Sequence, residues 1–186
     1  MDTSNPSDKA TGYSLWLEPS AKNPARQFLD EMVKVFSKEY NTPIFTPHVT
    51  LLGGIEGNIE DILAKTASLS ARLHPFTVRL GEIISRGQYF QSFIAPVSQG
   101  KEIMNAGEQA RTLFEIPREY FPHMSLAYGN FSEDQFMRLK EMAREADISG
   151  STFLAESVHV YRTEGTVEEW EHIAEFQLES NPSKEE

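Results

Sequence analysis

The sequence predicts a single α+β domain: a bilobal, duplicated βαβαβ unit with two antiparallel sheets facing a central cleft and helices outside. Two observations predict this fold class. Strand-like and helix-like segments alternate in the same order in both halves of the chain. A ten-residue motif also occurs twice, as FTPHVTLLGG (45–54) and YFPHMSLAYG (120–129). Each copy has an aromatic residue, any residue, Pro, His, an apolar residue, Ser or Thr, Leu, two variable positions and Gly.

The first half of the chain has the order strand, helix, strand, helix, strand. Asn23 and Asn58 precede its two helical segments, where an Asn side chain accepts a hydrogen bond from one of the first free backbone N–H groups. We expect Gly53 and Gly54 to end the middle strand. The three segments with strand character are YSLWLE (13–18), the first ten-residue motif and FTVRLGEII (76–84).

The second half repeats this order. Apolar residues at helical spacing predict a helix over 101–114. Ser132 is expected to open the next helix, because Gln135 is placed three residues later for a capping box. The segments with strand character are YFQSFIAPV (89–97), the second ten-residue motif, STFLAESVHVYR (151–162) and EEWEHIAEFQL (168–178).

The domain organisation follows from these segments. The two ends are polar and have no periodicity, so we expect them to be disordered. The two lobes are expected at about 12–86 and 87–163, with the strand 168–178 added. The three predicted regions are a disordered N-terminus, a bilobal domain and a disordered C-terminus, at residues 1–11, 12–179 and 180–186.

Composition and charge restrict the function class. The 186 residues include no cysteine and carry a formal net charge of −11. Backbone binding to long nucleic acid depends on clustered Lys and Arg, so we do not expect such a partner. No apolar run approaches the roughly 20 residues that span a bilayer, and the N-terminus does not have the pattern of a signal peptide. We expect a cytoplasmic monomer that binds a small ligand, and a nuclear location stays open.

The paired histidines carry the chemistry. Residues i and i+2 of a strand point to the same face, so His48 and Thr50 share one face, and so do His123 and Ser125. Two related lobes would bring both faces to one cleft. Two imidazoles can act as base and acid near neutral pH, and two hydroxyls can donate to the non-bridging oxygens of a phosphate. This set suits hydrolysis of a cyclic phosphodiester, and the scheme requires no metal or cofactor.

The two motifs resemble those of a known superfamily. PHVTL and PHMSL are similar to the paired H-φ-[ST]-φ motifs of the 2H phosphoesterases. SLW, GQYFQSF, EIMNAGE and TVEEWEHIA extend the resemblance, over about residues 12–178, to the cyclic phosphodiesterases of plants. The resemblance implies a bilobal α+β fold with the active site in a water-filled cleft. It also implies opening of ADP-ribose 1″,2″-cyclic phosphate, a by-product of tRNA splicing, and of nucleoside 2′,3′-cyclic phosphates to 2′-phosphates.

The resemblance also implies roles for particular residues. His123 would be the base that acts on water and His48 the acid for the departing sugar oxygen, although a pseudo-symmetric site nearly allows the reverse. Trp16 could stack on a nucleobase or lie in the core. Some plant members contain disulfides, and this chain has no cysteine. The implied catalytic pair is His48 and His123, and the implied phosphate-binding hydroxyls are Thr50 and Ser125. Tyr128 and Phe90, the latter on a loop over the cleft, are the implied aromatic substrate contacts, and either could instead pack in the core.

Several alternatives stay open. The chain could act on RNA ends that carry a 2′,3′-cyclic phosphate, or it could be a non-catalytic nucleotide-binding module. Arg86 and Arg118 are candidate positive charges near the cleft. A zinc site is a weaker interpretation, because two histidines 75 residues apart and no cysteine provide too few ligands. We expect the other three histidines to be non-catalytic, and they are His74, His159 and His172.

Overall fold

Eight strands and four helices form an α+β fold in the computed structural model, which describes residues 8–180. The strands are β1 (Tyr13–Leu17), β2 (Val49–Ile55), β3 (Phe76–Arg79), β4 (Phe93–Pro96), β5 (His123–Ala127), β6 (Thr152–Ala155), β7 (Ser157–Arg162) and β8 (Glu171–Gln177). The helices are α1 (Pro24–Tyr40), α2 (Ile59–Ser70), α3 (Lys101–Phe114) and α4 (Glu133–Glu145). The predicted α+β class is confirmed.

The strands form one large and one small antiparallel sheet. The large sheet has the order β4-β5-β2-β1-β7-β8, and the small sheet pairs β3 with β6. Within the described strands, β2 and β5 pair at a single position, Val49 with Met124. The β2-β1-β7-β8 half and the β5-β4 half are therefore continuous at this one point, where the sequence alone predicts two facing sheets.

The two halves of the sequence interleave in the fold. Strand β3, from the first half, pairs with β6 from the second half, and β7, from the second half, pairs with β1 from the first. The chain after β3 also runs beside β4, because Leu80 bridges Val97 and Ile84 bridges Ile94. Each half thus contributes a strand to the sheet region of the other.

Helix starts follow the capping residues that the sequence predicts. The Asn23 side chain accepts a hydrogen bond from the N–H of Ala25 at 2.9 Å, and the Asn58 side chain accepts one from the N–H of Glu60 at 2.7 Å. Ser132 and the side chain of Gln135 form the expected capping box at the start of α4.

Strand bounds differ from the predicted ones where the chain changes partners. The predicted strand 76–84 is regular only as far as Arg79, because its later residues bridge β4 singly. The predicted strand 89–97 starts with a turn of 3-10 helix, Tyr89–Gln91, before β4. The predicted strand 151–162 is divided at Glu156, because β6 and β7 belong to different sheets.

Two further bounds differ at glycine and at an edge. Strand β2 continues through Gly53 and Gly54 to Ile55, although Gly54 has a φ of 66°. The predicted strand 168–178 begins with a short 3-10 helix, Val167–Glu169, and continues as β8 at the edge of the large sheet.

The described chain begins inside the segment that the sequence predicts to be disordered. Residues 1–7 and 181–186 lie outside the described residues, and so does most of both predicted disordered ends. Ala10 exchanges two backbone hydrogen bonds of 3.0 Å with Gly165, in the connection between β7 and β8. Within residues 8–180, no helix has the length and apolar character to cross a membrane.

Candidate active site

The two His motifs meet where β2 and β5 pair. Val49 and Met124 are fully buried and opposite each other. Continuing this antiparallel register by one residue in each direction sets Thr50 opposite His123 and His48 opposite Ser125. Because side chains alternate between faces of a sheet, these four residues share the face opposite to Val49 and Met124. Each histidine of one motif therefore lies across from the hydroxyl residue of the other motif, on one shared face of the sheet.

All the predicted site residues line one cleft. Its volume is about 360 Å³. Residues from β1, β2 and β5 form its base, and the 3-10 turn before β4 forms part of its rim. The predicted residues among its lining are Trp16, His48, Thr50, Phe90, His123, Ser125 and Tyr128.

Both imidazoles are held in the same tautomer. The Nδ1–H of His48 donates to the carbonyl of Thr46 at 2.6 Å, and the Nδ1–H of His123 donates to the carbonyl of Phe121 at 2.8 Å. A carbonyl oxygen can only accept, so Nδ1 carries the proton and Nε2 of each neutral ring keeps its lone pair. In both motifs the acceptor is the residue before the proline. The repeated motif therefore encodes ring orientation as well as residue type.

His48 lies in a stack of aromatic rings. Its ring centroid is 3.5 Å from that of Trp16 at an interplanar angle of 6°, and Tyr161 stacks on Trp16 at 3.7 Å and 21°. Two rings at these distances cannot occupy the same face of the indole, so both faces of Trp16 are covered. Trp16 is 2% exposed and reaches the cleft with its edge. The structure therefore leaves no free face of Trp16 for a nucleobase.

Burial sets the protonation of His48. The side chain is 5% exposed, and desolvation lowers its pKa from 6.5 to about 3. The hydrogen bond to Thr46 opposes this shift, while the positive charges of His123 and Arg26 add to it. His48 is therefore neutral at physiological pH, with Nε2 able to accept a proton.

His123 is less buried than His48. Desolvation lowers its pKa as well, the carbonyl of Phe121 opposes the shift, and the charge of Arg86 adds to it. The Arg86 guanidinium lies over the Phe121 ring, 4.6 Å from its centroid. The Phe121 ring stacks on the His123 ring, with 5.7 Å between the two ring centroids. Arg86 thus acts on His123 from outside the cleft lining.

The two hydroxyls have different surroundings. Ser125 is buried, and its Oγ–H donates to the carbonyl of Phe90 at 2.8 Å, which ties the Tyr89–Gln91 turn to β5. Thr50 is half-buried, and within residues 8–180 its hydroxyl has no hydrogen-bond partner. Thr50 can donate to a ligand directly, whereas Ser125 must turn its hydroxyl away from Phe90.

Aromatic side chains form one end of the cleft. Tyr128 is buried, stacks on Phe45 at 3.9 Å, and meets Phe90 edge to face at 5.1 Å. The ring centroid of Trp170 lies 5.8 Å from that of Phe90 and 5.9 Å from that of Tyr128. Burial raises the pKa of Tyr128, so its phenol stays protonated and can donate. Trp170 lies in TVEEWEHIA, a segment that carries part of the family resemblance, and the resemblance implies no role for this residue.

Several polar residues of the cleft were not predicted. Ser14 lies two residues before Trp16 on β1, and its Oγ is 2.9 Å from Thr163 Oγ1. The i, i+2 relation to Trp16 was the available signal for Ser14. Lys9, which the sequence does not predict, and Arg118, one of the two candidate positive charges, also line the cleft. No described lining residue is acidic, although the chain has 28 Asp and Glu. The cleft is a local cationic region on an acidic protein.

The other three histidines lie outside the cleft. His74 Nδ1 bonds to the carbonyl of Glu179 at 2.9 Å. His159 bonds to Ser157 Oγ at 2.9 Å and to His172 at 3.2 Å, on β7 and β8. Within residues 8–180, no group of three or more His, Asp or Glu side chains is arranged to hold a metal ion.

Comparison with known proteins identifies related sequences. The family model described as "Cyclic phosphodiesterase-like protein" matches residues 11–178. A cyclic phosphodiesterase of Arabidopsis thaliana is 25% identical over 169 residues, which cover 87% of this chain and 92% of the relative. A 2′,3′-cyclic-nucleotide 3′-phosphodiesterase of Kluyveromyces lactis is 24% identical and covers 88% of this chain and 97% of its own length.

Solved structures share the fold. The crystal structure of TT0787 of Thermus thermophilus superimposes with a TM-score of 0.63 at 16% identity, covering 92% of this chain and all of that chain. At this identity the likeness concerns the fold. It agrees with the α+β fold class that the sequence predicts.

Proposed function

This chain belongs to the cyclic phosphodiesterase-like family of phosphodiester hydrolases, and from that premise we propose that its substrates are cyclic phosphodiesters of small nucleotides. The proposed reactions are ADP-ribose 1″,2″-cyclic phosphate to ADP-ribose 1″-phosphate and nucleoside 2′,3′-cyclic phosphates to 2′-phosphates. The observation that carries the proposal is the cleft in which two Nε2 atoms and two hydroxyls converge without a neighbouring carboxylate among the described lining residues. Such a site suits a small anion.

The proposed mechanism is in-line hydrolysis by the two imidazoles. One Nε2 accepts a proton from water while the water oxygen bonds to phosphorus. The protonated ring on the other side donates its proton to the sugar oxygen as the phosphorus–oxygen bond breaks. Thr50 and Ser125 donate to the non-bridging oxygens, where negative charge accumulates. The protein itself supplies every proton transfer in this scheme, so we propose that it requires no metal.

The acid and base roles can be argued from burial. The anionic phosphodiester raises the pKa of both rings, but the deeper burial of His48 keeps it the harder ring to protonate. This order favours His48 as base and His123 as acid, the reverse of the order that the sequence resemblance implies. A substrate with an activated leaving group distinguishes the two, because it restores turnover only to the variant that lacks the acid.

The proposed partner is a small nucleotide rather than long nucleic acid or a membrane. Two cationic side chains line the cleft within the described residues, whereas binding along a nucleic-acid backbone needs many. We also propose a monomer as the active form, since one chain supplies all the described groups of the cleft. Such an enzyme would process by-products of tRNA splicing, in the cytoplasm.

The test is turnover in excess EDTA, followed by phosphorus NMR. Purified protein is incubated with ADP-ribose 1″,2″-cyclic phosphate and with 2′,3′-cyclic AMP. We expect phosphomonoester product from the wild type and none from His48→Ala or His123→Ala. His74→Ala, outside the cleft, is the matched control and should keep full activity. Absence of turnover by a folded wild type would refute the proposal and favour an RNA-end substrate or a binding module.

A further inference from the structure

Arg118 reaches the catalytic strand from the segment that leads to β5. Its guanidinium donates to the carbonyl of Gly53 at 3.4 Å. A Cβ placed on Gly53 would lie 3.6 Å from Thr50 Cγ2 and 3.4 Å from Ser14 Oγ, so Gly53 is in contact with both. A Cβ on Gly54 would lie 3.7 Å from both terminal nitrogens of Arg118. One glycine therefore separates Arg118 from the Thr50 side chain.

This arrangement gives the cleft two chemically different ends. Strands β2 and β5 are antiparallel, so Gly53, three residues beyond Thr50, and Tyr128, three residues beyond Ser125, lie in opposite directions from the catalytic residues. The Tyr128 end is aromatic. The Gly53 end contains Arg118, and the small residues Ser14, Gly53 and Gly54 line the cleft beside it.

Most N–H donors of the Arg118 guanidinium make no hydrogen bond within residues 8–180. Arg118 is exposed, and the one hydrogen bond of its guanidinium within residues 8–180 is the long one to Gly53. By contrast, Arg138, Arg144 and Arg162 each pair with a Glu. A guanidinium has five N–H donors, and its planar fork fits two oxygens of a phosphate. An arginine without a carboxylate partner, on a protein of net charge −11, is suited to a second anionic group of the ligand.

We propose that Arg118 binds a phosphate on the 5′ carbon of the same ribose that carries the cyclic phosphate. This inference rests on the proposed function, because it assumes that the cyclic phosphate lies between His48 and His123. One ribose then connects the catalytic phosphate to the guanidinium. A terminal 5′-phosphate and the inner phosphate of a diphosphate bridge both satisfy this chemistry. The preferred substrates are accordingly cyclic phosphates with a 5′-phosphoryl group, and unphosphorylated cyclic nucleosides are the poorer ones.

The experiment compares two substrates that differ only in that phosphate. Values of kcat/KM are measured for 2′,3′-cyclic AMP and for the same compound with a 5′-phosphate. For the wild type we expect a preference for the 5′-phosphorylated compound on the order of tenfold, as for one charge-assisted hydrogen bond at an exposed site. The preference should decline as salt is raised, because exposed charges are screened.

Variants assign the preference to the residue. Arg118→Ala should remove the preference, so that kcat/KM becomes equal for the two substrates within about twofold, because the guanidinium is the group that distinguishes them. Arg118→Lys should keep part of the preference for the 5′-phosphorylated substrate, because the ammonium group retains the positive charge but not the planar, two-pronged geometry of the guanidinium. Arg72→Ala removes an exposed arginine at the end of α2, outside the cleft, and should change neither substrate.

The outcomes separate the two levels of the proposal. Equal hydrolysis of both substrates by the wild type, or an undiminished preference in Arg118→Ala, would overturn the phosphate subsite and leave the proposed function standing. Failure of the wild type to hydrolyse either substrate would overturn the proposed function and the subsite with it.

Discussion

Acidification should destabilise this protein through His48. The pKa of His48 is about 3 in the folded protein and about 6.5 in an unfolded chain. Between these values the unfolded state binds a proton that the folded state excludes, so the free energy of unfolding falls as the pH falls from 6.5 towards 3. Each pH unit is worth about 1.36 kcal/mol. At pH 5 the loss due to His48 is therefore about 2 kcal/mol relative to pH 7.5.

The assay is urea unfolding, followed by circular dichroism, of the wild type and His48→Asn at pH 7.5 and pH 5. Asn retains a side-chain N–H for the carbonyl of Thr46 and has no titratable ring. The cavity that the smaller side chain leaves affects both pH values equally, so only the difference between them matters. His123 titrates in both proteins, and its contribution cancels.

We expect the wild type to lose about 2 kcal/mol more than His48→Asn between the two pH values. Parallel losses in the two proteins would refute the reasoning, because they would show that the folded protein admits a proton at His48 as readily as the unfolded chain. In that case the argument from burial for His48 as the base would also fail.

Three further predictions concern the site and the scaffold. Thr50→Ala and Ser125→Ala should each lower kcat by about 10²–10³-fold, as for loss of one oxyanion donor, and steady-state kinetics that show less than about threefold would exclude that role. Gly107→Ala should destabilise the protein by up to about 2 kcal/mol. Overlap of its Cβ with the Tyr120 ring costs about 1–3 kcal/mol of overpacking, and removing a helical glycine returns roughly 1 kcal/mol; a raised midpoint in urea would contradict it. Asn23→Ala should lower the free energy of unfolding by about 1 kcal/mol, because it removes the side-chain cap of α1. Thermal unfolding measures this loss, and Asn23→Ser, which keeps a capping oxygen, is the control. An unchanged midpoint in Asn23→Ala would show that the cap contributes nothing.

The sequence predicts most of the local structure because its signals are local. A capping residue acts within three residues, as at Asn23, Asn58 and Ser132. The apolar content of the two His motifs likewise predicts strands, and β2 and β5 lie within or overlap these motifs. A change of strand partners along the chain has no such local signal. Nothing in STFLAESVHVYR indicates that the chain changes sheets at Glu156, since both parts have strand composition.

The candidate site shows the same limit. The pairing of i and i+2 residues places His48 beside Thr50 and His123 beside Ser125, and this relation holds in the cleft. The environment of Trp16 depends on Tyr161, which is 145 positions away and reaches it through the β1–β7 pairing. The contact of Arg118 with Gly53 likewise joins the two halves of the chain. Such long-range contacts have no periodicity from which to infer them.

The stack that covers both faces of Trp16 has an optical consequence. The chain contains two tryptophans, Trp16 and Trp170, and both line the cleft. Intrinsic tryptophan emission therefore originates at the site alone. An imidazolium quenches indole emission more strongly than a neutral imidazole, so the fluorescence of Trp16 should report the protonation of His48, 3.5 Å away. Binding of a cyclic phosphate and the titration of His48 can then be followed in the unlabelled protein with a fluorimeter.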